Sequence, residues 1–148
     1  TINVGETRTR GAELALTGRL TPAWQVSGGY TYQDAKLRGN DSVRLGQVPE
    51  HQFALWNRYD VAGRFGLGLG VIHQSSQFAA NRTAPTTTRL PGYTRVDAAL
   101  FFDVSENLAL QLNVENLLDE RYFSDAHNAN NITPGAPLNA RLTARVKF

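Results

Sequence analysis

Leu138-Asn139-Ala140-Arg141-Leu142-Thr143-Ala144-Arg145-Val146-Lys147-Phe148 closes the chain, and its reading decides the fold. Leu138, Ala140, Leu142, Ala144, Val146 and Phe148 alternate without a break with Asn139, Arg141, Thr143, Arg145 and Lys147. Period two means an extended strand with one apolar and one polar face. Strands of ordinary soluble domains average ~5–6 residues. A tilted strand that crosses a bilayer needs ~9–11.

The same pattern recurs upstream. Leu108, Leu110, Leu112 and Val114 form one apolar face, and Val96, Ala98, Leu100 and Phe102 another. Phe65, Leu67, Leu69 and Val71 alternate with Gly66, Gly68 and Gly70. Phe53, Leu55, Tyr59 and Val61 make a face broken only at Asn57. Trp24, Val26, Gly28, Tyr30 and Tyr32 make a sixth, and Ala12, Leu14, Leu16 and Leu20 a seventh. No segment has a comparable helical period.

The connections differ in length in strict alternation. Thr21–Ala23, Ala62–Arg64 and Val104–Glu106 are short, whereas Lys36–Pro49, Gln77–Gly92 and Leu118–Pro137 are long. An outer-membrane barrel has short periplasmic turns and long extracellular loops. The fold expected is therefore all-β: an antiparallel transmembrane β-barrel fragment of about seven long strands. With three residues in each short turn, Leu20 faces Trp24, Val61 faces Phe65 and Asp103 faces Asn107, which keeps apolar opposite apolar. The same register sets Arg95 opposite Glu115 and Trp56 opposite Gly70. Trp24 and Tyr32 stand at opposite ends of one outward face, as aromatic girdles do, although aromatics are common in any strand.

Bacterial single-chain barrels have an even number of strands, and an open edge is not tolerated in lipid. More barrel is therefore expected to precede Thr1. Thr1 to Leu20 contains no apolar signal-peptide core, and no stretch is apolar enough for a spanning helix. Mean hydropathy is −0.35, which a barrel shares with soluble proteins because its strands alternate. The chain has no cysteine and a net charge of +2. That excludes disulfides and thiolate metal sites. Without a basic stripe, nucleic-acid binding has no support.

With the strands placed, the residues resemble the C-terminal barrel region of TonB-dependent siderophore receptors. The resemblance is carried by Arg10-Gly11-Ala12-Glu13-Leu14, Leu90-Pro91-Gly92-Tyr93-Thr94-Arg95-Val96-Asp97 and Asn113-Val114-Glu115-Asn116-Leu117-Leu118-Asp119. Arg121-Tyr122-Phe123, His127-Asn128, Asn130-Asn131-Ile132, Pro134-Gly135-Ala136-Pro137 and the terminal Arg145-Val146-Lys147-Phe148 continue it. The Asn-rich and Pro-Gly-rich stretch before the last strand is most similar to receptors for ferric catecholates or related siderophores. The resemblance implies a plugged barrel in the bacterial outer membrane that takes up a ferric siderophore with energy from TonB. Residues 1–148 would be its C-terminal portion, with plug domain and earlier strands upstream. Partners implied are the siderophore, the TonB complex through the plug, outer-membrane lipids and the barrel-assembly machinery, which would read Phe148. Iron would arrive inside the chelator as substrate, so no cofactor is expected.

Candidate ligand contacts are the loop arginines Arg38, Arg44, Arg82 and Arg89, since guanidinium suits planar, oxygen-rich anions. Tyr122 and His127 could shape the rim; turn chemistry and packing are the other reading. Asp34, Asp41 and Glu50 dilute any positive field around Arg38 and Arg44. His51, His73 and His127 lack ligand spacing, so no metal site is expected. No catalytic motif is present. Gly66, Gly68 and Gly70 on the inner face leave space for a plug, house a bulky side chain, or kink the strand. Competing functions are a passive channel, an outer-membrane enzyme and a soluble all-β binding domain.

Overall fold

The alternating segments pair in chain order into one antiparallel sheet. The computed structural model describes residues 5–148. Its strands are β1 (Thr7–Thr21), β2 (Trp24–Leu37), β3 (Asn40–Arg44), β4 (His51–Ala62), β5 (Phe65–Gln74), β6 (Gln77–Phe78), β7 (Arg89–Leu90), β8 (Tyr93–Asp103), β9 (Leu108–Glu115), β10 (Phe123–Asn128), β11 (Asn131–Pro134) and β12 (Asn139–Val146). The main sheet runs β1-β2-β4-β5-β8-β9-β12, with β3 added to the end of β2. These seven path strands are the seven read from the pattern. β1 and β12 are its open edges.

Register places every apolar row on one side. Leu14 faces Tyr30, which faces Phe53, which faces His73. Leu67 faces Leu100, which faces Leu112, which faces Leu142. The opposite side carries Glu13, Thr31, Gln52, Asp97, Asn113 and Arg141. This is a barrel wall, apolar toward lipid and polar toward the lumen. Aromatic side chains gather at both ends of the outward face. Trp24 with Tyr59 and Phe65 with Phe102 lie by the short turns, whereas Tyr30, Tyr32 and Phe53 lie by the long loops. Asn57, the polar break on that face, accepts a hydrogen bond from Trp24 Nε1 at 3.2 Å. One aromatic donor thus satisfies an amide oxygen that lipid cannot.

The three-residue turns need correction. Most of β1–β2 and β4–β5 keeps the expected register, including Trp56 opposite Gly70. At the turns, however, Thr21 faces Trp24 and Ala62 faces Phe65 across register shifts. Leu20 and Val61 are bulge residues, which tighten each hairpin to two linking residues. The third turn departs further. Asp103 faces Ala109, not Asn107. Val104 N and Ser105 N both donate to Leu108 O, and Asn107 N donates to Ser105 Oγ, so this turn takes five residues. A slip of two keeps every side chain on its own face, so the hydrophobic pattern could not detect it. Arg95 consequently does not face Glu115. It pairs with Asp97 on its own strand at 2.8 Å and donates to Tyr122 Oη at 3.1 Å.

The inner glycines of β5 house a bulky side chain. A Cβ on Gly68 would stand 2.5 Å from Trp56 Cζ2, and one on Gly70 2.6 Å from Trp56 Cε3. The indole therefore lies flat along the wall. Below it, Arg58 rests 4.2 Å from the centre of the Phe101 ring and pairs with Asp60 at 3.1 Å. Bulk on this face is spread over a floor of small residues rather than projected into the lumen.

Candidate functional site

All three long connections emerge at one end of the sheet, and each folds into a small hairpin rather than an irregular loop. β3 folds back on the end of β2, β6 pairs with β7, and β10 with β11. The first and second hairpins are stitched by backbone. Gln47 N donates to Phe78 O at 2.7 Å, Arg82 N to Arg44 O at 2.8 Å, and Gly46 N to Asn81 Oδ1 at 3.0 Å. Gly46 is needed because a Cβ there would stand 2.4 Å from the backbone of Ala80. The second and third hairpins meet through a small apolar core of Ala79, Leu90 and Ala126, with Ile132 against it.

Asn116 anchors the third hairpin. It sits in left-handed conformation at φ 54° and is almost wholly buried. Its Nδ2 donates to Glu120 O at 2.9 Å and Ala136 O at 3.0 Å, its Oδ1 accepts from Glu120 N at 2.9 Å, and its N donates to Asp97 Oδ1 at 2.8 Å. Asp119, also left-handed, accepts from Leu138 N at 3.0 Å. One amide thereby ties the departing and returning ends of the connection to β8. Tyr122 lies over Gly135, where a Cβ would stand 2.2 Å from its ring, and stacks on Tyr93 with centroids 4.3 Å apart.

The sequence candidates fall into different places. Tyr122 is buried, and its hydroxyl receives Arg95, so it braces the rim from within. Arg38 pairs with Glu6. Arg44 pairs with Glu50 and lies 3.8 Å from Asp34. Arg82 and Arg89 have no carboxylate partner among the described residues. Arg82 lies 5.5 Å over the Phe78 ring. Arg89 faces Phe78 across the β6–β7 ladder and donates from Nε to Ser76 Oγ at 3.0 Å. Phe78 thus carries Arg82 over its ring and has Arg89 as its ladder partner, with the Arg89 guanidinium held by Ser76. His127 is exposed on β10, apart from that pair in sequence and element. Phe148 follows β12 and is fully exposed. His51 shares a 2.7 Å hydrogen bond with Tyr30 Oη, and His73 a 2.8 Å one with Thr94 Oγ1. Among the described residues no group of three or more His, Asp or Glu side chains could hold a metal. Sequence reasoning passed over Phe78, which lies in the two-residue β6, and Ser76, which precedes it outside any strand.

An antiparallel sheet that is apolar outside, polar inside and belted by aromatics at both ends, with its elaborated connections at one end, defines an outer-membrane β-barrel. The chain belongs to the TonB-dependent receptor-like β-barrel family, whose model matches residues 1–117. It is similar to the catecholate siderophore receptor Fiu of Escherichia coli K12, at 36% identity over 97% of this chain and 20% of that protein. The probable TonB-dependent siderophore receptor PiuA of Acinetobacter baumannii is 33% identical over 99% of this chain and 21% of its own length. The closed-form crystal structure of the ferric-catecholate import receptor Fiu superposes with a TM-score of 0.87 at 35% identity, over 97% of this chain and 21% of that one. The chain spans about a fifth of these relatives. Its place is the bacterial outer membrane, and its family is one of receptors.

Proposed function

We propose that this chain forms the C-terminal wall and part of the outer mouth of a receptor that imports a ferric siderophore with energy from TonB. The plug domain and the segment that contacts TonB would belong to the remainder of the protein. The observation that carries the reading is that Arg82, over the Phe78 ring, and Arg89, across the ladder from Phe78, stand at the loop end of the wall with no carboxylate partner among the described residues. Two guanidiniums without a carboxylate partner among the described residues offer charge-assisted donors to phenolate oxygens, and the ring adds a stacking face. A catecholate presents both features in one planar group. That the relatives include a catecholate receptor supports the same subclass. Iron is cargo, held by its chelator.

The test is a titration of the full-length receptor with the ferric complex of 2,3-dihydroxybenzoate, read by quenching of intrinsic fluorescence. Replacing both Arg82 and Arg89 by Gln removes two charge-assisted bonds at ~1.5–3 kcal/mol each, which predicts a Kd at least ~100-fold weaker. Unchanged affinity would remove these arginines from the site. Failure of the unaltered receptor to bind any ferric chelate would overturn the function.

A further inference from the structure

The outward wall is not smooth. In one row across β4, β5, β8 and β9 stand Asn57, Leu69, Ala98 and Val114. Ala98 is the smallest of them, with Leu100 two residues along its strand and Leu67 facing Leu100. The shortfall at Ala98 opens a groove of about 480 Å3 lined almost entirely by apolar atoms. Its depth in the membrane follows from register. The Leu69–Ala98 pair lies four residues from the Phe65–Phe102 pair on one side and four from the His73–Thr94 pair on the other. The groove therefore sits midway between the two aromatic rows, at the level of the hydrocarbon core.

The topology says what can and cannot cover it. The groove spans β4, β5, β8 and β9, which are interior to the strand order β1-β2-β4-β5-β8-β9-β12. Further barrel strands can add only beyond β1 or β12, so barrel closure leaves the groove facing outward. An unfilled dent at this depth would forfeit dispersion contacts along its whole lining. The filler must be apolar, flexible and present at the bilayer centre.

We propose that the groove holds one acyl chain of an outer-membrane phospholipid as an ordered ligand of the receptor. Ala98 is the residue that makes the room, while Leu67, Leu69, Leu100 and Val114 form the walls. Asn57, with its oxygen already bonded to Trp24, closes one end without exposing an unpaired acceptor. The inference rests on the outer-membrane placement of the wall and is independent of what the mouth binds.

Full-length receptor extracted from outer membranes in mild detergent is examined by native mass spectrometry. The unaltered protein is expected to retain one phospholipid, Ala98→Trp to lose it, and Ala12→Trp, on the same outward face of β1, to keep it. Should Ala98→Trp fail to give a heat-modifiable folded band, Ala98→Leu is read in the same way. Equal retention by the Ala98 variant, or no lipid on the unaltered protein, overturns the proposal. A dimer that the Ala98 variant dissociates also overturns it, in favour of a second copy as occupant. Fractionation of the same cells reads the outer-membrane placement separately.

Discussion

Leu100 and Phe101 are neighbours in sequence and lie on opposite faces of the wall. Leu100 meets lipid, and Phe101 lies under Arg58 on the inner face. Their parity alone decides this, because side chains in a strand alternate. Asn116 and Tyr122 in the cap obey no such rule. Asn116 is buried by the two ends of a connection folding around its amide, and Tyr122 by a glycine thirteen positions later. The wall is thus built from a repeated local instruction, and the cap from single contacts between distant segments. Polarity sets most wall positions, the close-packed glycines excepted, whereas a cap position depends on one particular side chain.

The largest expected effect tests the cap. Asn116→Ala removes the hydrogen bonds to Glu120 N and to two carbonyls, at ~0.5–1.5 kcal/mol for each, and puts alanine at positive φ. A total of ~2–4 kcal/mol is expected as local opening. It should be seen as faster amide hydrogen exchange throughout residues 117–137, with the wall strands unchanged. Equal protection in both proteins would mean that the cap does not hang on this residue.

The second tests the wall by polarity. Leu100→Arg places a charge near the bilayer centre and should cost ~2–4 kcal/mol in folding from denaturant into liposomes. Thr143→Arg, on the lumen side of β12, should cost far less. Equal costs would break the assignment of faces.

The smallest concerns the one part of the wall that behaves like the cap. Gly68→Leu drives side-chain atoms into the Trp56 indole and should destabilise by ~1–3 kcal/mol. Combining it with Trp56→Ala should recover part of that loss, a coupling that a double-mutant cycle reads directly. Strict additivity would mean that Gly68 serves strand curvature instead.

Much of the architecture was legible because the bilayer imposes one rule on every spanning strand. The seven strands and their faces follow from period two, the position of the long connections from the alternation of loop lengths, and the match of Trp56 to Gly70 from turn length. The turn after β8 holds five residues rather than three, and a slip of two preserves polarity on both faces, so the pattern sets Arg95 against Glu115 whereas the side chain pairs with Asp97. Sequence could not rank the four loop arginines either. Arg38 and Arg44 find carboxylates in Glu6 and Glu50, one distant in the chain and one across a turn, while Arg82 lies over Phe78 and Arg89 stands opposite it in the β6–β7 ladder.

By itself, then, the sequence determined the class of fold, the membrane-facing surface and the end of the barrel that carries the mouth. Each of these depends on a pattern repeated many times, which averages out local exceptions. Only the tertiary structure decided the exact register at the turns, the burial of Tyr122, the anchoring role of Asn116, the groove at Ala98 and the placement of Arg82 and Arg89 beside Phe78. These depend on single contacts between segments far apart in the chain, whose geometry no local period encodes.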